Sequence, residues 1–237
     1  MHHLPARGKG SPWVLVAQLL AVLGVLFAVL LAVGWLVSGP EADTHVEAAD
    51  GRLTTWFALH RVAGLARPSE WVARLGSTGV VVGIGGTAAV VAGCLVRRWW
   101  PVRLLAAALT GELLVFLAVS SIIDRHRPPV SHLDAHLPPT SSFPSGHTAA
   151  ALCRYGGIAV VIFVSTRSPW RWVVVGCAVL IILGVGASRL YRGAHRPTDV
   201  LASLLFASAW LWACARLLVP TPDERVGRKA LPRAAHI

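Results

Sequence analysis

Two short stretches of the 237-residue chain hold the residue types that nucleophilic and acid–base chemistry needs. In residues 188–199, "SRLYRGAHRPTD", His195 precedes Asp199 by four positions, a spacing that places both side chains on one helical face. An aspartate that holds one imidazole nitrogen leaves the other nitrogen free to react. We therefore interpret His195 as a nucleophile or base, although a surface histidine beside a helix-capping aspartate fits the same spacing equally well.

The second stretch, "FPSGH" at 143–147, stands immediately before an apolar run. Ser145 suits the N-cap of a helix, so the backbone N–H groups of Gly146 and His147 would lie at its free end. Such an end attracts anions, and Gly146 has no side chain to keep an anion away from the backbone. An ordinary serine cap on a membrane helix is the alternative interpretation.

Arginines surround both stretches. Arg189, Arg192 and Arg196 fall within the first one, and Arg127 precedes Pro128 in the long loop that leads to the second. Single loop arginines are usually solvated, but here they accompany two features that favour an anion. Because the planar guanidinium fork fits phosphoryl oxygens, the grouping predicts a phosphate-binding site.

The elements that position these residues are apolar helices. Hydrophobic residues make up 55% of the chain and charged residues 14%, which is typical of an integral membrane protein. A membrane-spanning helix needs about 20 apolar residues. Six stretches meet that length, at 13–38, 71–96, 104–123, 148–166, 172–189 and 199–219. The predicted fold is an all-α, polytopic six-helix bundle with its active site at the outer membrane face.

Lysine and arginine in the short loops set the predicted orientation. They favour a short cytoplasmic tail at 1–12, a membrane domain at 13–219 and a basic cytoplasmic tail at 220–237, with both termini inside. The apolar run of the first segment is too long for a cleaved signal peptide, so we expect it to be retained. The excess of arginine over lysine and the lack of a eukaryotic targeting signal favour a bacterial plasma membrane. Topology accounts for much of the net charge of +11, so no nucleic-acid partner is predicted.

Together these residues resemble the three-part signature of the type-2 phosphatidic acid phosphatase superfamily. The matching parts are Arg127-Pro128, "PSGH" at 144–147, and Ser188-Arg189 followed by His195 and Asp199. The resemblance implies a membrane lipid phosphatase that works through a phosphohistidine, without metal or other cofactor.

The resemblance also implies a role for each matching residue. His195 attacks phosphorus, Asp199 orients it, and His147 protonates the leaving oxygen and then activates water. Arg127, Arg189 and the backbone around Ser145 and Gly146 hold the phosphoryl oxygens. The four cysteines, which lie in predicted spans without paired spacing, are interpreted as packing residues.

One position departs from the family pattern. The first signature part normally begins with a lysine seven positions before the arginine of Arg127-Pro128, and Ser120 stands there instead. Arg125 is the nearest candidate to supply the missing charge, with His126 and Arg192 as further possibilities. The loss leaves open an altered substrate preference or a reduced activity.

The substrate class follows in part. Phosphatidic acid, phosphatidylglycerophosphate and a polyprenyl diphosphate all fit an outward site flanked by lipid, and the oligomeric state is open. A lipid phosphotransferase or a weakened lipid-phosphate-binding protein are the alternatives. A transporter would show broken helices or inverted repeats, and the sequence shows neither. A vanadate haloperoxidase would be soluble, which does not fit so apolar a chain.

Three further predictions concern single segments. Glu112 and Arg154 lie within spans, where they either pair with each other or let Arg154 reach a lipid headgroup. Residues 52–66 form either an interfacial helix or an ordinary loop helix. Trp210 and Trp212, which are distant from the predicted helix ends, are expected to pack inside.

Overall fold

The computed structural model describes residues 11–39, 44–77, 98–134, 137 and 141–221, together with residues 79, 83, 85–87, 90, 91, 93 and 94. Helices are the only regular elements in this part of the chain, and loops connect them. The helices are α1 (Pro12–Ser38), α2 (Thr44–Leu59), a 3₁₀ turn (Ala63–Leu65), α3 (Ala66–Arg74), α4 (Trp100–Ile122), α5 (Gly146–Ser165), α6 (Arg171–Tyr191) and α7 (Pro197–Leu218). Most of the two predicted tails lies outside the described residues.

Five of these helices, α1 and α4 to α7, are long and apolar enough to cross a membrane. They coincide with the first and the last four predicted spans, with ends that differ by a few residues. Leucines such as Leu36, Leu180 and Leu205 are exposed on the outside of the bundle, which is the surface expected to face lipid.

The predicted start of the second span is wrong. Helix α3 ends at Arg74, and Leu75–Ser77 form a turn in place of a continuing helix. The described residues between 79 and 94 are helical again, but most of that stretch lies outside the described residues, so a sixth span stays a prediction. The carbonyl oxygen of Leu75 is held in the turn by the Arg154 guanidinium and by the Tyr155 hydroxyl.

Gly76 explains why the chain turns at this place. A Cβ at Gly76 would lie 2.6 Å from the carbonyl oxygen of His147 and 3.0 Å from its Cβ. Only glycine lets the turn approach α5 so closely. The turn therefore contacts His147, the residue that the sequence predicts as the general acid.

Helix α7 runs through the middle of the bundle, where it contacts α1, α4 and α5, while α6 packs on α5 and α3 packs on α6. Trp210 is buried, and its indole N–H donates to the carbonyl oxygen of Ala108 over 3.0 Å, as predicted for an inward tryptophan. Trp212 is 66% exposed, so its predicted burial is wrong. Its position two residues on along the helix turns it to the lipid side.

The predicted pair between Glu112 and Arg154 is absent among the residues that the structure describes. Both side chains are buried, but the Arg154 guanidinium donates to Leu75 and lies 4.0 Å above the ring of Tyr155. Arg154 belongs to a π-helical turn, Leu152–Gly156, within α5. A backbone carbonyl and an aromatic face therefore take the place of the expected carboxylate.

The predicted helix over 52–66 is replaced by two elements. Helix α2 starts at Thr44 and ends at Leu59, and the 3₁₀ turn follows it. Asp50 and Thr54 are buried on the face that packs on α6 and α7, whereas Leu53 and Trp56 are exposed. Helix α2 therefore buries polar side chains and exposes apolar ones, and its placement at the membrane surface stays a prediction.

Candidate active site

The signature residues converge at one end of the bundle. Helix α4 ends there, α5 begins, α6 ends and α7 begins, so the connecting loops and the four helix termini surround one volume. The loop 123–128 is joined to the loop before α5 by the Ser142 N–H, which donates to the carbonyl oxygen of Arg125 over 2.8 Å. The Ser145 N–H reaches the carbonyl oxygen of Asp199 over 3.4 Å. Sequence-distant motifs are thus held together by their backbones.

His195 is 5% exposed, and its Nδ1 lies 2.7 Å from the carbonyl oxygen of Ser142. A carbonyl oxygen can only accept, so Nδ1 carries the proton and Nε2 keeps its lone pair. Asp199 Oδ2 is 3.8 Å from Nδ1, which is too long for a hydrogen bond. The carbonyl of Ser142 therefore orients the ring, and Asp199 acts on it by its charge.

The charge state of His195 follows from its surroundings. Burial lowers the pKa of His195 below its ordinary value of 6.5, and the nearby Asp199 carboxylate opposes this effect. The guanidinium groups of Arg189 and Arg127 lower the pKa further. The imidazole is consequently neutral at pH 7, which is the form that can attack an electrophile.

Asp199 is fully buried and has other partners. Its Oδ1 accepts a hydrogen bond from Arg125 Nη1, and its Oδ2 accepts the backbone N–H of Arg196 over 2.8 Å. The second contact caps helix α7 at its first turn. Asp199 therefore caps its helix and pairs with an arginine while it lies beside His195.

Arg125 does not take the place of the missing lysine in this structure. Its Nη2 donates to Asp50 Oδ2 over 2.9 Å, and its Nη1 donates to both Thr198 Oγ1 and Asp199. Asp50, Arg125 and Asp199 form a buried group that we call the carboxylate cluster. Ser120, at the lysine position, lies inside α4 and donates to the carbonyl oxygen of Leu117.

The predicted phosphate-binding arginines, Arg127 and Arg189, have hydrogen-bond partners outside the carboxylate cluster. Arg127 Nη1 donates to the carbonyl oxygen of Ala194 over 2.8 Å. Burial lowers the pKa of Arg127, while Asp199 and Asp134 act in the opposite direction. Arg189 Nη1 donates to Asp134 Oδ2 over 2.9 Å, and its buried Nε has no hydrogen-bond partner in the part of the chain that the structure describes. A buried guanidinium N–H with nothing to donate to suits an oxyanion.

Arg192 also binds the Asp134 carboxylate, and its other contacts connect two segments of the chain. Its Nε donates to Asp134 Oδ1 over 2.6 Å, and its other groups donate to Ala66, Ser69 and Leu133. With these contacts Arg192 joins the loop at 133–134 to the start of α3. We call Asp134, Arg189 and Arg192 the arginine cluster.

The start of α5 differs from the expectation in one detail. Ser145 occupies the N-cap position, but its hydroxyl lies 2.9 Å from Thr148 Oγ1 and makes no cap to the backbone. The first N–H groups of a helix have no acceptor within it, so those of Gly146 and His147 stay available to an anion. A Cβ at Gly146 would lie 2.8 Å from the ring of Phe116. The glycine thus makes room for an aromatic ring, whereas the sequence suggested room for a ligand.

His147 is half-buried at the first turn of α5, beneath the turn at Gly76. Arg189, His195, Asp134 and Arg127 are the ionisable groups that interact with it electrostatically. The structure thus brings His147 into the same group of charges as His195. Within the described residues, no three His, Cys, Asp or Glu side chains are grouped to hold a metal ion.

Two acidic residues of the site were missed by sequence reasoning. Asp50 ends the acidic stretch "EADTHVEAAD" at 41–50, and Asp134 lies in a proline-rich loop with no spacing that relates it to Arg189 or Arg192. The only local signal for Asp50 is that Thr54 follows it at four residues on an otherwise apolar helix face. Nothing in the sequence connects it to Arg125, which is 75 positions away.

Comparisons with known proteins show the family of the chain and its fold. The family model of the PAP2 superfamily matches residues 100–221, just over half of the chain. Phosphatidylglycerophosphatase B of Bacillus subtilis (strain 168) is 33% identical over an alignment of 113 residues that covers 44% of this chain. The match spans 52% of that relative, about half of its length.

A solved structure gives the comparison of the fold. The crystal structure of a transmembrane PAP2 type phosphatidylglycerolphosphate phosphatase from Bacillus subtilis superposes with a TM-score of 0.66. The superposition covers 90% of this chain and 98% of that one, at 22% sequence identity. The two chains therefore share a fold over most of their length.

Proposed function

Because the chain belongs to the PAP2 superfamily, we propose that it is an integral membrane lipid phosphatase that works through a phosphohistidine on His195. The observation that carries the proposal is the state of His195. The ring is buried, and its Nδ1 lies against the carbonyl oxygen of Ser142, which leaves Nε2 unprotonated; burial and the nearby Arg127 and Arg189 lower its pKa, which favours the neutral form. A neutral imidazole beside fixed guanidinium groups is suited to attack a phosphoryl group.

In the proposed first step, Nε2 of His195 forms a bond to phosphorus while the bond from phosphorus to the lipid oxygen breaks. His147, in its protonated form, gives its proton to that oxygen, so the lipid alcohol leaves neutral. Arg127, Arg189 and the N–H groups at the start of α5 hold the phosphoryl oxygens. Asp199 offsets the positive charge that develops on His195.

In the second step, water attacks phosphorus and gives a proton to His147. The phosphorus–nitrogen bond then breaks, which releases inorganic phosphate and restores neutral His195. Each step needs only groups that this chain supplies, together with water. The proposal is therefore metal-independent.

Phosphatidylglycerophosphate is the substrate we propose first. The names of both relatives contain it, and its phosphomonoester can enter from the membrane surface while the acyl chains stay in the bilayer. Phosphatidic acid and a polyprenyl diphosphate meet the same requirement and serve as the comparison substrates. The distribution of lysine and arginine supports a site on the extracytoplasmic side of a bacterial plasma membrane, with both termini in the cytoplasm.

The test is phosphate release by the purified protein in mixed micelles with EDTA present, using the three lipids in parallel. We expect release in EDTA that is abolished in His195→Ala and unchanged in His60→Ala, which alters an exposed histidine on the loop after α2. Loss in EDTA, or activity that survives in His195→Ala, would overturn the mechanism. Transfer of phosphate to an added alcohol without release would identify a phosphotransferase, and the absence of any turnover would leave lipid-phosphate binding.

The orientation has its own test. A green fluorescent protein joined to the C-terminus fluoresces in bacteria only when it stays in the cytoplasm, and we expect fluorescence. A dark C-terminal fusion beside a fluorescent fusion made directly after α6, where the proposed topology places the reporter outside the cytoplasm, would contradict cytoplasmic termini.

A further inference from the structure

The carboxylate cluster links a helix outside the signature to the proposed nucleophile. Arg125 lies between two carboxylates, with Asp50 from α2 on Nη2 and Asp199 from α7 on Nη1. The side chains of Asp50, Arg125 and Asp199 are 2%, 4% and 0% exposed. Such burial leaves little water to screen their charges, so each one acts strongly on its neighbours.

Asp50 is also bound to the start of α7. Its Oδ1 accepts the backbone N–H of Thr198 over 3.1 Å, and its Oδ2 accepts the Thr198 hydroxyl. A carboxylate at this position satisfies an N–H group that the helix cannot satisfy itself, and it complements the helix dipole. Helix α2 therefore supplies a cap to α7 from a distant part of the chain.

The backbone of Arg125 acts on His195 by a second route. Its carbonyl oxygen accepts the Ser142 N–H, and its own N–H donates to Ser141 Oγ over 3.2 Å. Ser142 in turn accepts the His195 Nδ1–H. Arg125 thus contacts both Asp199 and Ser142, the two residues that face Nδ1 of His195.

We propose that Asp50 and Arg125 are positioning residues, which together fix the net negative charge that Asp199 presents to His195. The inference rests on the proposed function, since it places both residues behind the same nucleophile. With Arg125 alone, the Arg125–Asp199 pair would be neutral and would do little to stabilise an imidazolium. With Asp50 added, the cluster keeps one net negative charge beside the ring.

Other charges also face His195 and must stay constant in any test. Those that act on the ring are Asp199, Arg189, Arg127 and His147, and the charged groups Arg192, Arg196 and Asp134 lie in the neighbouring helix ends and loops. None of these is altered by substitution of Asp50 or Arg125.

The experiment follows the protonation of His195 directly, by NMR of the full-length protein with ¹⁵N-labelled histidine in micelles. The His195 signal is identified by its loss in His195→Ala. We expect Asp50→Asn to move the titration midpoint to lower pH, because it removes a negative charge. We expect Arg125→Gln to move it to higher pH, because it removes a positive one. Each shift should be on the order of one pH unit, as for a nearby unit charge at an effective dielectric constant of about 20.

Two variants serve as controls. The double variant Asp50→Asn/Arg125→Gln removes both charges and should titrate close to the wild type. Glu70→Gln removes an exposed carboxylate on α3 that pairs with Arg74, and it should leave the midpoint unchanged. A purely structural role would disturb packing without this pattern of opposite signs.

The outcomes separate this inference from the proposed function. Unchanged midpoints, or shifts in one common direction, overturn the inference even when the wild type releases phosphate. Opposite shifts in a protein that releases no phosphate would support the charge coupling and reject the catalytic role. One folded single variant suffices, because each has its own predicted direction. If neither folds, Arg125→Lys must keep the wild-type midpoint, and a shift there overturns the inference.

Discussion

The carboxylate cluster and the arginine cluster are built from the same two residue types in inverse proportion. In the first, Asp50 and Asp199 share Arg125, and in the second, Arg189 and Arg192 share Asp134. The first cluster is almost completely buried, while Asp134 in the second is 19% exposed. A sealed cluster of net negative charge can act only on its protein neighbours, whereas a partly open cluster of net positive charge can receive an anion from outside.

Because of this difference, we assign the carboxylate cluster to the nucleophile and the arginine cluster to the substrate in the proposed reaction. The negative cluster lies beside the atom that becomes positive when His195 attacks. The positive cluster offers Arg189 Nε, which is buried without a partner among the described residues, to the oxygens of the phosphoryl group. Opposite balances of the same side chains thus serve the nucleophile and the substrate.

The largest expected effect comes from the arginine cluster. Arg189→Met should lower kcat/KM for the preferred lipid by about 10²–10³-fold, the usual effect of losing one donor to a developing oxyanion. Arg167→Met, which alters an exposed arginine between α5 and α6, is the matched control and should have wild-type kinetics. Kinetics in mixed micelles measure both, and a loss below threefold in Arg189→Met would remove Arg189 from the phosphate site.

Removing the charge of Asp134 should have a smaller effect, and it should strengthen the binding of phosphate, whereas the loss of Arg189 weakens catalysis. Asp134→Asn frees Arg189 Nη1, so inorganic phosphate should bind about tenfold more tightly as a product inhibitor, in line with one charge-assisted hydrogen bond. The inhibition constant is measured beside that of Asp124→Asn, which alters an exposed acid after α4. An unchanged or weaker inhibition in Asp134→Asn would show that Asp134 does not compete with phosphate.

The pH dependence of the wild type tests the carboxylate cluster. Because the pKa of His195 is lowered and its neutral form attacks, kcat should rise as pH increases through a midpoint below 6.5, and it should fall again at higher pH as His147 loses the proton that it gives to the leaving oxygen. The rate at saturating substrate is measured from pH 4.5 to 8. A midpoint above 6.5 would mean that the negative charge of the cluster outweighs the burial of the ring.

The smallest effect is expected at Ser145, which lies between the clusters. Ser145→Ala leaves the buried Thr148 hydroxyl without its partner, so the free energy of unfolding should fall by about 1–2 kcal/mol while kcat/KM changes less than fivefold. Denaturation in mixed micelles and the lipid assay measure the two quantities. Ser121→Ala, on the exposed side of α4, is the control, and a large kinetic loss in Ser145→Ala would show that its hydroxyl, and not only the backbone beside it, acts in the phosphate site.

Much of the fold was predictable because its causes are local. Apolar length predicts α1 and α4 to α7, and the serine and proline signals place the starts of α5 and α7 within two residues. The turn at Leu75–Ser77 could not be predicted, because it depends on Arg154 and His147, which approach it only in the folded bundle. The burial of Trp210 and the exposure of Trp212 likewise depend on which side of α7 meets α4.

The candidate site also has a part that the sequence predicts and a part that depends on tertiary contacts. His147, His195, Asp199, Arg127 and Arg189 are identified by short spacings, and the structure brings them together. Arg125 was assigned to phosphate because charge and proximity in sequence favoured it, yet two carboxylates from other segments occupy its guanidinium. Pairings of this kind are decided by tertiary contacts between residues far apart in the chain, which no spacing records.

The cap that Asp50 places on α7 has a consequence for the size of the working unit. All signature residues fall between 120 and 199, and the family model begins at residue 100, but a carboxylate from α2 completes their charge balance. A fragment that starts at α4 would keep each of those residues and still leave Arg125 and the start of α7 one partner short. The motif and the set of residues that satisfies its buried polar groups are therefore different lengths of chain, so a transplant of this site without α2 would leave Arg125 and Thr198 without their contacts to Asp50.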